Sequence, residues 1–309
     1  ISCSMNKLLI VGTVAFDAIE TPFGKTNKIL GGSAPYIGLS AAQFDVQSAI
    51  VSIVGGDFPE EYSKSLQEYN IDTSSIDVIV DEKTFFWKGR YLKNMNQRET
   101  ITTDLNVLTK FKPNVPDSFK NSDVVVLGNL SPMDQKAVIS QISNKDALVI
   151  LDTMNFWMDN NLDELLSVLS DVNVITINEE EARQLTGEYS LIKAAKKIFT
   201  MGPENVIIKK GEHGALLFSK GNMFFAPALP LESVFDPTGA GDTFAGGFAG
   251  YLTQSKDFSF ENMKRAIIYG SAIASFSVEE FGPERLFKLD KHQLESRLKV
   301  FKKLTEFEI

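Results

Sequence analysis

The chain has 309 residues, 43% of them hydrophobic and 23% charged, a balance that fits a globular fold and excludes a disordered one. Its formal net charge of -9 gives no overall attraction to nucleic acid or to an anionic membrane, so neither is expected as a partner, and any anionic ligand has to be held locally. The single cysteine, Cys3, permits no intrachain disulfide, and the sequence has neither a long apolar run nor a signal-type start, so a reducing, cytoplasmic setting is expected.

Residues 1–4 precede Met5 and are left outside the fold expectation, which takes 5–309 as one domain. Short β-branched runs at 8–16, 48–55, 123–129, 147–153, 172–178 and 205–211 have the composition of buried parallel strands. Helical patterns at 59–70, 131–142 and 162–170 lie between them. Strand and helix in alternation predict an α/β fold, a mostly parallel sheet covered on both faces. Residues 83–108 break that rhythm: polar, aromatic and Thr-rich, with two strand-like runs around "KNMNQ", they predict a β-hairpin that serves as a lid over the ligand crevice. Within it, period-two alternation sends Phe86 to the opposite face from Phe85 and Trp87. From Ser259 onward the apolar spacing is helical, and no repeat or linker marks a second unit.

In open α/β sheets the ligand lies beyond the carboxyl ends of the strands, where helix N-termini point. Gly239, Ala240 and Gly241 stand where a loop becomes the helix carrying Thr243 to Tyr251. Small residues there let backbone N–H groups approach an anion, and the helix dipole adds to the attraction. Asp242 repels a phosphate at that place unless it has another task, and general base toward a hydroxyl is such a task. A tight turn with a helix-start acid is the alternative for a glycine cluster alone.

The full string "DPTGAGDTFAGGF" resembles, nearly residue for residue, the C-terminal signature of the ribokinase-type (PfkB) carbohydrate kinase family, and the likeness runs from "VGTVAFD" to the final helices. The resemblance implies a ribokinase-like three-layer α/β/α core with a small β lid, formed by about 83–108 with part of 17–30. It implies ATP and Mg2+ and chemistry of one kind: transfer of the γ-phosphoryl group to a hydroxyl of a small molecule. Asp242 is then the catalytic base, and Gly239, Ala240 and Gly241 are the anion hole. Asp236 matches a position that helps bind a monovalent cation, so K+ is a further candidate, with a turn acid before Pro237 as its alternative.

On the substrate side the resemblance assigns Asp17, together with Gly31 and Gly32 in "LGGSAPYIGLSAAQF". An acid that accepts hydroxyl hydrogen bonds suits a sugar. Tyr36 stands where many members carry an asparagine, a departure that bears on which sugar is read. Asn129 is placed near the substrate, and the region of Asp152 and Asn155 near phosphates or substrate. In "NEEEA" the resemblance implies that Asn178 and Glu181 organise magnesium and its waters at the nucleotide phosphates, while a capped acidic helix start is an equally physical account of the same residues. Lys209, Gly211 and Gly214 in "KKGEHGALLF", and Ser275 beyond them, are implied on the nucleotide side. His213 and His292 are too few and too scattered for a histidine metal site.

The leading expectation is an ATP-dependent kinase of a sugar or cyclic polyol, with a nucleoside kinase of the same fold as the alternative. A non-catalytic binding protein would tolerate loss of Asp242 or the cradle glycines, and all are present. A dinucleotide oxidoreductase requires G-x-G-x-x-G after the first strand, and "VGTVAFDAIE" lacks it. Lid hairpins in the family pair between subunits, so a homodimer is expected.

Overall fold

The computed structural model describes residues 6–306 and 308; Cys3 and Met5 lie outside the described residues. The strands are β1 (Lys7–Val11), β2 (Ala15–Thr21), β3 (Gly24–Lys25), β4 (Ile29–Gly31), β5 (Gln47–Gly55), β6 (Ile71–Ile79), β7 (Phe86–Tyr91), β8 (Arg98–Asp104), β9 (Val124–Leu127), β10 (Leu148–Asp152), β11 (Val174–Asn178), β12 (Asn205–Lys209), β13 (Ala215–Ser219) and β14 (Asn222–Ala226). The helices are α1 (Ser33–Ala41), α2 (Glu60–Gln67), α3 (Pro132–Gln141), α4 (Asn155–Asn160), α5 (Leu162–Leu169), α6 (Glu179–Thr186), α7 (Leu191–Phe199), α8 (Ala240–Ser255), α9 (Phe260–Ser277), α10 (Glu284–Phe287) and α11 (Lys291–Thr305).

Nine strands form the main sheet in the order β14-β13-β12-β11-β10-β9-β1-β5-β6. Every pair from β6 to β12 is parallel, and β13 and β14 close one edge antiparallel. Successive side chains of a strand point to opposite faces. Leu8, Ile10, Val124, Val126, Leu148 and Ile150 accordingly enter one core, and Leu9, Val11, Val125, Leu127, Val149 and Leu151 enter the other. Both faces are covered, which is why these strands read as unbroken apolar runs and not as alternation.

On one face α8 packs between α1 and α9. A Cβ on Gly246 or Gly250 would run into α1, and one on Gly247 would approach Gly270 of α9, so small residues let these helices close up and fix the position of the α8 N-terminus. The Ser40 hydroxyl of α1 donates to the Thr243 carbonyl at 2.6 Å and locks the pair just behind that end.

The second sheet runs β3-β2-β7-β8, with β4 paired to β2. The hairpin expected from residues 83–108 is β7 and β8, antiparallel around residues 93–97. β7 pairs parallel with β2 (Phe16 opposite Phe86, Asp17 opposite Trp87), which builds residues 15–31 into the lid.

One expectation changes, and two strands were not foreseen. The apolar run 8–16 is not one strand: β1 stops at Val11, and β2 begins at Ala15 in the other sheet. Between them Thr13 is tied to the start of α1, its carbonyl accepting from Ala34 N and its hydroxyl from Ser33 N, both at 3.0 Å. β6 and β14 were not among the expected strands: each lies on an edge of the main sheet and buries only part of its side chains, β6 being largely polar and β14, NMFFA, apolar but mostly exposed.

Candidate active site

Gly239 caps α8 with φ +73°, in the left-handed region. A Cβ there would also lie 2.5 Å from the Tyr36 ring, so glycine is required twice over. In the first turn Ala240 N donates to Pro237 O at 3.2 Å and Thr243 N to Gly239 O at 2.8 Å. The N–H groups of Gly239, Gly241 and Asp242 have no backbone acceptor among the described residues. Free donors at a helix N-terminus are what an anion needs. The candidate cradle is thus Gly239, Gly241 and Asp242, the last N–H also meeting its own carboxylate, and the Ala240 N–H is the member of the expected set that the turn itself engages.

Beside the cradle, four adjacent parallel strands end on polar residues: Asp152 and Asn178 close β10 and β11, Lys209 closes β12, and Asn129 follows β9. The Lys209 ammonium donates to Asp152 Oδ2 at 2.9 Å, and it lies 3.2 Å from where a Cβ on Gly241 would stand. A partly buried lysine, its side chain 17% exposed, therefore sits against the cradle, held by a buried carboxylate. Burial works to lower the Lys209 pKa, but Asp152 and Glu181 outweigh it and leave it raised. Asp242 is pushed up to about 7, by burial first and by the like charge of Asp152 second, while Lys209 and Arg98 pull it down. A carboxyl poised near neutrality suits a proton acceptor working near pH 7.

Asp17 faces the cradle from β2 and is 5% exposed. A Cβ on Gly31 would collide with its carboxyl carbon at 2.2 Å, and its carboxylate is bonded by the Gly32 backbone, so the glycine pair forms its bed. Burial pushes Asp17 up to about 7, with Asp236 and then Asp242 adding repulsion. Tyr36 is fully buried, and its hydroxyl has no partner among the described residues; burial, then Asp236 and Asp17, push its pKa well above the ordinary value. The hydroxyls of Thr153 and Thr243 are likewise buried and unpartnered. Gln135 Oε1 is a fourth such atom; of the four, Tyr36 is the one whose ring lies against Gly239.

The other sequence-derived residues divide between site and scaffold. Asn178 and Glu181 form a full capping box: Glu181 N donates to Asn178 Oδ1 at 2.8 Å and Asn178 N to Glu181 Oε2 at 3.0 Å. Burial pushes the Glu181 carboxyl up to about 7 against the pull of Lys209. Asp236 is a strut: Oδ1 accepts from Thr238 N and Oδ2 from Gly282 N, both at 2.9 Å. Asn129 accepts from Trp157 Nε1 at 2.9 Å, which ties it to α4. Gly211 and Gly214 shape the turn between β12 and β13, both with positive φ, and lid residue Asn96 donates to Glu212 in that turn at 2.7 Å. Ser275 lies inside α9, donating to Ala272 O and accepting from Arg297 of α11; the structure joins it to α11 and not to the carboxylates around Lys209.

Sequence reasoning passed over Tyr91, Arg98 and Thr238. Thr238 Oγ1 donates to the Tyr91 hydroxyl at 3.1 Å, which docks the lid on the loop that leads into Gly239. The available signal was the alternation Trp87, Gly89, Tyr91, which puts all three on one face of β7.

An anion cradle at a helix N-terminus, with a carboxyl and a paired lysine beyond the carboxyl ends of a parallel sheet, defines a phosphotransferase whose acceptor is an alcohol. The chain belongs to the pfkB family of carbohydrate kinases, whose description matches residues 5–288. It is 29% identical over 252 residues to the cytidine kinase of Thermococcus kodakarensis, covering 80% of this chain and 89% of that one. It is 28% identical over 286 residues to the ribokinase of Haemophilus influenzae, with 89% and 90% covered. The solved ribokinase of Arabidopsis thaliana, complexed with ribose and ATP, superposes with a TM-score of 0.75 at 19% identity over 96% of this chain and 99% of that one. The ribokinase-like core and lid expected from the sequence are therefore the observed fold.

Proposed function

We propose that the protein transfers the γ-phosphoryl group of ATP to a hydroxyl of a small sugar or polyol. The observation that carries this reading is the place of the Lys209 ammonium, 3.2 Å from where a Cβ on Gly241 would stand, which sets a partly buried cation beside unengaged backbone N–H groups and Asp242. In the reaction the acceptor oxygen forms its bond to the γ-phosphorus as the bond to the bridging oxygen breaks, and ADP leaves. Asp242 takes the hydroxyl proton. The N–H groups of Gly239, Gly241 and Asp242 and the Lys209 ammonium stabilise the equatorial oxygens. Asp17, on its glycine bed, accepts hydrogen bonds from other hydroxyls of the acceptor and holds the reacting one toward Asp242.

Magnesium fits this chemistry. Among the described residues no group of three or more His, Cys, Asp or Glu side chains is arranged to hold a metal, and magnesium commonly keeps its waters and takes few protein ligands. Glu181, with one oxygen outside its capping box, is the group we assign to those waters; the ion would neutralise phosphate charge. A monovalent cation at Asp236 would have to share oxygens that already accept from Thr238 and Gly282.

Trp87 favours a second reading. It is the register partner of Asp17, so an indole ring stands on the same face as the hydroxyl-reading acid, where a nucleobase can stack. A relative named cytidine kinase points the same way. A panel of pentoses, hexoses, cyclic polyols and nucleosides, with ATP and magnesium and scored by acceptor-dependent ADP release, decides between the readings. Turnover confined to nucleosides overturns the sugar reading, and no turnover with any acceptor overturns the kinase reading.

A further inference from the structure

Tyr36 lies in the first turn of α1, four residues after the capping Gly32, so the two stand one turn apart on the same side of the helix. The Gly32 backbone bonds the Asp17 carboxylate, which brings the acid of the lid to that same side. α1 packs against α8, and the ring is wedged between the two helix starts: its Cε1 and Cζ atoms lie 2.5 Å from where a Cβ on Gly239 would stand. The hydroxyl end of the ring therefore meets the first glycine of the cradle, and Tyr36 as a whole is 1% exposed.

The polar groups around it are engaged. Asp236 accepts from Thr238 N and Gly282 N, and the Tyr91 hydroxyl accepts from Thr238 Oγ1. The Tyr36 hydroxyl is not engaged: among the described residues it has no hydrogen-bond partner. A buried hydroxyl without a partner costs stability, and phenylalanine would fill the same space without that cost, so packing does not account for the oxygen. Burial, then the charges of Asp236 and Asp17, hold the phenol pKa well above its ordinary value; it keeps its proton and is a donor at neutral pH. Asp17, once ionised, only accepts. An alcohol has one hydrogen to give and lone pairs to accept with, so a carboxylate and a phenol facing one hydroxyl satisfy both of its sides. A deoxy position satisfies neither group, and an ether oxygen satisfies the phenol alone.

Resting on the kinase reading above, we propose that Tyr36 is a specificity-determining residue of the acceptor site: its hydroxyl donates to an acceptor oxygen whose own hydrogen goes to Asp17. The acceptor is then a polyhydroxy compound that carries a free hydroxyl beside the one that is phosphorylated. Tyr36 reads this hydroxyl from the core, and Asp17 reads it from the lid. The phenol exchanges no proton, and Asp242 keeps the role of base. The unsatisfied oxygen is the cost of a site built for one ligand group: it weakens the empty protein and is made good when the acceptor binds.

The test compares wild type with Y36F and, as a control from the same cluster, Y91F. Without ligand Y36F should melt about 2–4 °C higher, because it removes an unsatisfied hydroxyl. Y91F removes the partner of Thr238 and should melt lower. Calorimetry with the best acceptor of the panel, in the absence of ATP, should show Y36F binding it about tenfold more weakly, the range of one hydrogen bond. In turnover the loss should fall on the KM of the acceptor, with kcat within about threefold. Among the mono-deoxy analogues of that acceptor, one should bind wild type at least about 100-fold more weakly than the parent, and Y36F should narrow that ratio about tenfold. A melting temperature for Y36F at or below that of wild type, an unchanged acceptor affinity, or a loss equal for the parent and every deoxy analogue each overturns the proposal. Wild type that binds an acceptor without turning it over would overturn the kinase reading, and the affinities would still decide the role of Tyr36; wild type that binds none overturns both.

Discussion

Two regions face one another across the crevice, and they present their polar groups in different ways. At the N-terminus of α8 the donors are backbone N–H groups, set by a helix packed against α1 and α9, and Lys209 and Asp152 come from the ends of buried central strands. The lid offers side chains alone, Asp17, Trp87, Tyr91 and Arg98, on a sheet whose outer strand β8 is exposed along nearly all its length. Backbone held by packing can have only one geometry, and the phosphoryl group, common to every reaction of this kind, needs only one. Side chains on a thin sheet can change identity without disturbing the core, and the acceptor is the variable partner. In the proposed reaction the main sheet would carry the chemistry and the lid recognition and closure.

Substitution on the main-sheet side should break both activity and fold. G239A forces a Cβ into the left-handed region and into the Tyr36 ring. We expect a loss of about 1–2 kcal/mol in stability and of about 100-fold in kcat, read by thermal denaturation and by ADP release. On the lid side R98A should leave the melting temperature unchanged, because Arg98 is exposed. Equal destabilisation by both substitutions would erase the distinction between the two regions.

A smaller effect sharpens the same contrast. The Asp242 pKa is raised above its unfolded value, so the group destabilises the fold increasingly as pH rises from the unfolded pKa, and fully above about 7. D242N should therefore raise the melting temperature by about 2–4 °C at pH 8 and by less at pH 5, measured without nucleotide. A gain that grows as pH falls would contradict the burial of this carboxyl.

What was legible in the sequence follows the same division. The central strands announced themselves because burial on both faces demands unbroken apolar runs, and the cradle did so because Gly239 must adopt a conformation that only glycine takes freely. Asp242, Lys209 and Glu181 could be placed because each immediately adjoins such an element. The edge strand β6 was illegible, being half solvated and largely polar, while β14 is a short apolar run that lies mostly exposed; the break between Val11 and Ala15 was hidden because one apolar run serves two sheets. The parallel pairing of β2 with β7 joins residues some 70 positions apart, and nothing local encodes it. Tyr91 and Arg98 stayed hidden for that reason: their meaning depends on which loop the lid closes upon.

The central claim is that Asp242, and no other group, takes the proton of the acceptor hydroxyl. It is tested most directly by the pH dependence of kcat/KM for wild type and D242N, with the best acceptor from the panel and ADP release as the readout. Wild type should lose activity below an acid limb near pH 7, and D242N should be slower by about 1000-fold, within the usual range for a general base, with that limb absent. D242N that keeps wild-type turnover, or keeps the same acid limb, would contradict the account.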